Sequence, residues 1–429
     1  MHIFKSNHKQ NILNKFLNNT VISYFDWRKP FASKYFRSAS SYLGFKLVIF
    51  SLAGLATQYL LTHNLTKEHY GLLVWVGTII ALLSPFGLPG ISTSIVGAVA
   101  RGYEGNFVRG TWLEILGGTV GGLVLFGISG YYWFGEHVQT RALIFLVASV
   151  LGPGLWLDTH QCYWNGKKNF KALFWWAVPV RLLQLFAIAA VLYFSSNPIL
   201  VFATQAGIQA IANIATAIGI MKIKKINREI SNNYQSYGWF YTRLSAIGSV
   251  TAYLDKLIIG LFFGLESLAV FAVGELLYAY FYKTPSSFLT QIFQPRLAEM
   301  EVRQAAQWVR NRQKYLISVM ALSVLVIGIV IPVAYPLLFS EKYNESIFYA
   351  YLFLGCILLG TPTFLIGTLI KSHAMQKETK IAWMILNLTP LILVPLFSWL
   401  WGLVGIIAAR ACTNLFISTY YYNLVKRIS

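Results

Sequence analysis

Asp255 and Lys256 stand side by side in the stretch AYLDKLIIGLFFG, Ala252 to Gly264, which is otherwise almost entirely apolar. An ionised side chain at the centre of a bilayer costs on the order of 2.5–3.5 kcal/mol on insertion scales, so such residues need a reason to be there. The chain holds nine in apolar runs: Lys46, Glu114, Asp158, Arg181, Asp255, Lys256, Glu275, Lys283 and Arg410. Cations in this setting attract phosphate oxygens. Arginine does so with a planar fork that keeps its charge. Carboxylates pair with those cations or exchange a proton or sodium ion.

Spacing groups some of them. Asp255 and Glu275 each lie ten residues from Leu265, in the tight turn between two apolar runs. Antiparallel helices rising 1.5 Å per residue bring both carboxylates to the same depth, about 15 Å from the turn. Lys256 then sits between two acids. Glu275, Tyr278 and Tyr282 recur at i, i+3 and i+7, one helical face with Lys283 at its edge. Two readings stay open: charges that neutralise one another and pin the hairpin, or a face that lines a wet cavity where Lys256 or Lys283 meets an anion and Glu275 or Asp255 exchanges a proton. Asp158 and Arg181 make a comparable pair across the fourth and fifth apolar runs, expected as a salt bridge or with Arg181 free for phosphate. Arg410 either lines the cavity or snorkels to headgroups. Lys46 has the same choice, and Glu114 is expected at the interface.

The elements that position these residues are long. The chain has 429 residues, 56% hydrophobic and 12% charged, too apolar for a soluble surface. Runs of roughly 20 apolar residues, the length of a spanning helix, are read at 42–62, 71–100, 112–134, 142–164, 172–194, 199–221, 244–263, 267–293, 316–339, 346–370, 381–400 and 404–425. The expected fold class is an all-α polytopic membrane protein of twelve transmembrane helices. Its parts are a basic segment 1–41, a first lobe 42–221, a linker 222–243, a second lobe 244–425 and a tail 426–429. An interfacial amphipathic helix is one reading of 9–25, where Ile12, Phe16 and Ile22 share a face.

Net charge is +20, and its distribution gives it a use. With the N-terminus inside, twenty-seven basic residues fall on inner segments and three, Lys67, Arg141 and Lys342, on outer loops. That asymmetry places both termini in the cytoplasm. It makes nucleic acid a poor explanation of the charge. Cys162, Cys356 and Cys412 lack metal-ligand spacing and read as small apolar fillers. No nucleophile elbow, HExxH or phosphate-cradling glycine loop is present, and the outer loops of about three to eight residues leave no room for a catalytic domain. A membrane glycan polymerase or ligase is therefore disfavoured. Pro85, Pro89, Pro153 and Pro285, each near glycine, are candidate hinges or routine packing.

Several motifs together carry a family resemblance. They are Lys-Glu-x-Tyr-Gly at Lys67 to Gly71, the exit Ala-Arg-Gly at Ala100 to Gly102, Leu-Asp-Lys-x-x-Ile-Gly at Leu254 to Gly260, and Gln-Pro-Arg at Gln294 to Arg296. From about residue 40 to 425 the chain resembles the lipid-linked oligosaccharide (O-antigen, Wzx-type) flippases of the multidrug/oligosaccharidyl-lipid/polysaccharide (MOP) exporter superfamily. The resemblance implies two six-helix lobes around a central cavity that opens to each side in turn. The implied cargo is an undecaprenyl-diphosphate-linked oligosaccharide in a bacterial cytoplasmic membrane. No cofactor is implied beyond H+ or Na+ coupling, and a glycan polymerase with its chain-length machinery is a candidate partner. The rival is a small-molecule antiporter of the same superfamily. Mid-span cations argue for an anionic cargo.

Overall fold

The computed structural model describes residues 34–429 apart from 137, 224–225, 287–288, 291–292, 294–296, 298–299 and 374, with 34–40 and 223 described in backbone only. The expected amphipathic segment at 9–25 lies outside the described residues. Among those described, every regular element is a helix. They are α1 (Lys34–Asn64), α2 (Lys67–Leu82), α3 (Pro89–Ala100), α4 (Gly105–Gly130), α5 (Gln139–Leu155), α6 (Thr159–Gly166) and α7 (Phe170–Phe194). There follow α8 (Pro198–Ile223), α9 (Asn232–Ile258), α10 (Gly264–Tyr278), α11 (Val302–Phe339), α12 (Glu345–Gly360), α13 (Thr363–Ser372) and α14 (Gln376–Ile428).

By length and composition, eight helical stretches in the described residues are apolar enough to cross a membrane, or ten when each bent pair counts as one span. The bent pairs are α2 with Ser84–Ala100, at 53°, and α12 with α13, at 44°. Pro85 and Pro89 explain the first bend, because each removes a backbone donor from the ladder. The second falls at Pro362, a proline outside the four expected as candidate hinges.

Two long stretches double back on themselves. Lys256 and Glu275 touch at 2.8 Å although nineteen residues of straight helix would separate them by about 28 Å. Gly264 makes that reversal with φ 83°, a conformation that costs glycine nothing. In α14 the same job falls to Gly402, φ 60°. Beyond it Val394 and Ile406, and Pro390 and Arg410, face one cavity from antiparallel arms.

The expected linker 222–243 is shorter than read. Its polar second half, from Asn232, is already the start of α9. It is helical because it has a partner: Gly90 N–H of α3 donates to Thr242 Oγ1 at 3.1 Å, and Asn106 and Ser231 exchange two hydrogen bonds of 3.1 and 2.8 Å.

The halves meet at both ends of the bundle. At the end poor in basic residues, α2 packs along α10, Lys67 pairs with Glu345 at 3.4 Å, and Tyr70 meets Tyr343 edge-on at 5.9 Å. Thr66 caps α2 there by accepting from His69 N–H at 3.1 Å. At the basic end the contact is α3 against α9.

Candidate functional site

Arg410 joins the hairpin of α9 and α10 to the second arm of α14. Its Nη1 donates to Glu275 Oε1 at 2.8 Å and its Nη2 to Asp255 Oδ2. Glu275 also binds Lys256 at 2.8 Å and Lys283 at 3.2 Å. Asp255 and Glu275 are therefore at one depth, as their equal distance from Leu265 requires. Lys283 reaches Glu275 because of a local irregularity. Eight residues of α-helix would rotate it about 80° off the Glu275 face, and the π turn at Ala279–Lys283 inserts the extra residue that turns it back.

Three cations thus surround two acids. Both carboxylates are buried, whereas the Lys283 side chain is 56% exposed. The Arg410 guanidinium also lies over Tyr278 at 5.1 Å and Phe353 at 5.5 Å, which adds cation–π attraction. A cavity of about 250 Å³ opens beside this cluster, lined by Asp255, Tyr278, Lys283, Asn387, Arg410 and Asn414 among others. The charges pair with one another, and Asp255, Lys283 and Arg410 also line the cavity, whereas Lys256 and Glu275 are not among its lining residues. Tyr278 and Tyr282 part company. Tyr278 faces the cavity, while the Tyr282 hydroxyl meets Thr363 Oγ1 at 3.0 Å and donates to Gly360 O at 3.3 Å, bracing the α12–α13 bend.

The first half is built differently. Asp158 does not pair with Arg181. α5 stops at Leu155 and Asp158 stands at the N-terminus of α6, turned towards α3 and α4 instead. Ser92 Oγ contacts both Glu114 Oε1 and Asp158 Oδ1, and Asp158 N–H donates to Glu114 Oε2 at 3.3 Å. Glu114 is accordingly 1% exposed, not interfacial as expected. Among the described residues no cation lies within salt-bridge distance of either acid. No group of His, Cys, Asp and Glu there could hold a metal ion.

Arg181, left without Asp158, has no carboxylate within 4 Å among the described residues. Its Nε is buried and lacks any hydrogen-bond partner. It lies beside Gly54 of α1, where a Cβ would come 3.6 Å from Arg181 Nη2 and 2.6 Å from the hydroxyl of Tyr280 in the other half. Arg181 therefore sits where the halves approach each other. Tyr280 was not singled out from the sequence, since only the packing of α1, α7 and the π turn brings it there. Lys46 lies over Phe50 at 5.3 Å, on the same helix as Gly54.

Bent spans and two helical halves, each with its own buried charged cluster, characterise the fold. Three solved structures share the fold. An inward-facing multidrug resistance MATE family transporter of the MOP superfamily is 12% identical over 88% of this chain and 94% of its own, with a TM-score of 0.65. The outward-facing conformation of a MATE family transporter is 13% identical over 91% and 95%, at 0.64. A MOP superfamily transporter from Pyrococcus furiosus, reported with reversed polarity of its binding pocket, is 13% identical over 91% and 95%, at 0.65. No curated protein sequence matches the chain. Residues 60–348, two thirds of the chain, match the family described as polysaccharide biosynthesis protein, and the chain belongs to that family. The resemblance stated from the motifs is borne out at the level of family and superfamily fold.

Proposed function

We propose that this protein is a flippase that carries polyprenyl-diphosphate-linked oligosaccharide units, of the undecaprenyl type, from the inner to the outer leaflet of a bacterial cytoplasmic membrane. It would do so by alternating access between two halves, with twelve crossings and both termini in the cytoplasm. The two reversals at Gly264 and Gly402 support that count, and the basic residues gathered at one end support that orientation.

The observation that carries the reading is Arg181: a guanidinium between the halves, with an unfilled N–H and no carboxylate beside it. A buried donor of this kind calls for an acceptor, and phosphate oxygens match its fork. Beside Lys46, the cavity-lining Lys283 and Arg410, with Lys256 paired to Glu275 behind them, extend the positive surface. The cluster they join carries three cations to two acids, so it holds a net positive charge while it pins α9, α10 and α14. The polyprenyl tail stays in lipid.

Ion coupling falls to the first half. Asp255 and Glu275 are committed to cations, whereas Glu114 and Asp158 share one serine hydroxyl, which has a single proton to give. That pair is the place for a coupling proton or sodium ion. A second reading, a small-molecule antiporter with cationic cargo, rests on the same two acids.

The two readings separate in a strain lacking the protein. The flippase reading expects a lipid-linked oligosaccharide to accumulate on the inner leaflet, restored to export by wild type and not by Arg181→Ala present at normal levels. Normal surface glycan in the deletion strain, with loss of tolerance to a cationic drug, would favour the antiporter.

A further inference from the structure

A larger cavity, about 1220 Å³, lies away from the interior charges, between the first turns of α11 and the last turns of α14, with Pro362 and Ile366 at its base. Gln307, Arg310, Lys314 and Ser318 face it at i, i+3, i+7 and i+11, one side of a helix. From α14 come Ser418, Tyr422 and Lys426. Among the described residues three side-chain cations line it and no Asp or Glu does. Arg310 Nη1 donates to Ser429 Oγ at 3.1 Å, while Lys314 and Lys426 have no hydrogen-bond or ion-pair partner among the described residues.

A second observation points to a ligand. Gln313 lines the same cavity and is 9% exposed, yet neither its amide oxygen nor its amide nitrogen has a hydrogen-bond partner. A buried amide left so is costly unless something polar meets it. The surroundings say what. The cavity stands at the basic end of the bundle, where headgroups lie, and an apolar stripe leads away from it along α11. Tyr315, Val319, Leu322, Val326, Ile329 and Val333 are each more than half exposed. They alternate by four and three residues over about 27 Å of helix, enough to carry an acyl chain.

We infer that this cavity binds the phosphate headgroup of an anionic membrane lipid. Arg310, Lys314 and Lys426 hold the phosphate, Gln313 meets the polar glycerol-ester region, and an acyl chain lies on the stripe. The site is separate from Arg181, and the inference stands whether or not the protein moves an oligosaccharide.

Native mass spectrometry of the full chain, released from nanodiscs containing equal phosphatidylglycerol and phosphatidylethanolamine, tests it. Wild type is expected to retain phosphatidylglycerol preferentially. Arg310→Gln/Lys314→Gln/Lys426→Gln should lose that preference at least about tenfold, since each basic side chain near a headgroup contributes on the order of a factor of five. All three positions are solvent-exposed, so folding should survive, which unchanged thermal unfolding in detergent checks. Gln313→Leu should also reduce retention. Equal retention of both lipids by wild type, or unchanged retention in the triple variant, overturns the inference. So does a Gln313→Leu variant that unfolds at higher temperature and keeps its lipid, because the amide would then be only a packing fault. Stabilisation by millimolar inorganic phosphate as large as by phosphatidylglycerol would make it a free-anion site and overturn the lipid assignment.

Discussion

In the second half of the molecule two buried acids are held by three cations; in the first half two buried acids are held by a serine and by each other. The same residue types therefore serve opposite ends. Asp255 and Glu275 are locked, and their charges join three separate segments into one unit. Glu114 and Asp158 are not neutralised by a cation among the described residues, and Arg181, the cation expected to neutralise Asp158, is left to face the other half. A fixed cluster in one half and an uncommitted pair in the other divide two roles open to buried charge: holding helices together and, under the proposed coupling, changing protonation.

The comparison is broken most forcefully at Glu275. Replacing it by Ala strands Lys256, Lys283 and part of Arg410 together, and removing one partner of a buried ion pair costs about 3–5 kcal/mol. A large fall in unfolding temperature, or loss of the protein from membranes, is expected from Glu275→Ala. Unchanged unfolding would mean that the cluster does not bind the hairpin to α14. In contrast, Glu114→Gln with Asp158→Asn keeps shape and hydrogen-bonding capacity, so the expected stability change is about 1 kcal/mol or less. Its effect belongs to transport. Export by wild type should respond to an imposed proton or sodium gradient, and export by the double variant should not. A response that survives intact would move coupling elsewhere.

Smaller effects sharpen the picture. Tyr282→Phe removes a hydroxyl that braces the α12–α13 bend and should cost about 1 kcal/mol, read as a modest fall in unfolding temperature. Lys283→Gln should cost less than Lys256→Gln, because the more exposed ion pair is screened and contributes at most about 1 kcal/mol. The reverse order would show that the rim of the cluster matters more than its buried core.

Much of the second half was legible in the sequence because its geometry is local. One turn at Gly264 sets Asp255, Lys256 and Glu275 at one depth, and helix rise alone predicts their meeting. Arg410 had to come from another hairpin, and only its type and depth marked it. The first half was misread for the same reason in reverse. The break between Leu155 and Thr159 turns Asp158 away from Arg181, and no count of residues along a straight helix foresees that. Glu114 looked interfacial because its position in the span was shallow, yet it is buried because Ser92 on α3 and Asp158 before α6 close over it. The bend at Pro362, the early start of α9 and the approach of Tyr280 to Arg181 depend on packing between distant segments. The sequence carries no local signal for these.

Arg181 remains the residue on which the account turns. Proteoliposomes loaded with a polyprenyl-diphosphate oligosaccharide, assayed for its appearance on the opposite leaflet, test it most directly with wild type, Arg181→Lys and Arg181→Ala at equal incorporation. The predicted result is full movement by wild type, reduced movement by Arg181→Lys, which keeps charge but not the fork, and none by Arg181→Ala. Wild-type movement by Arg181→Ala would contradict it.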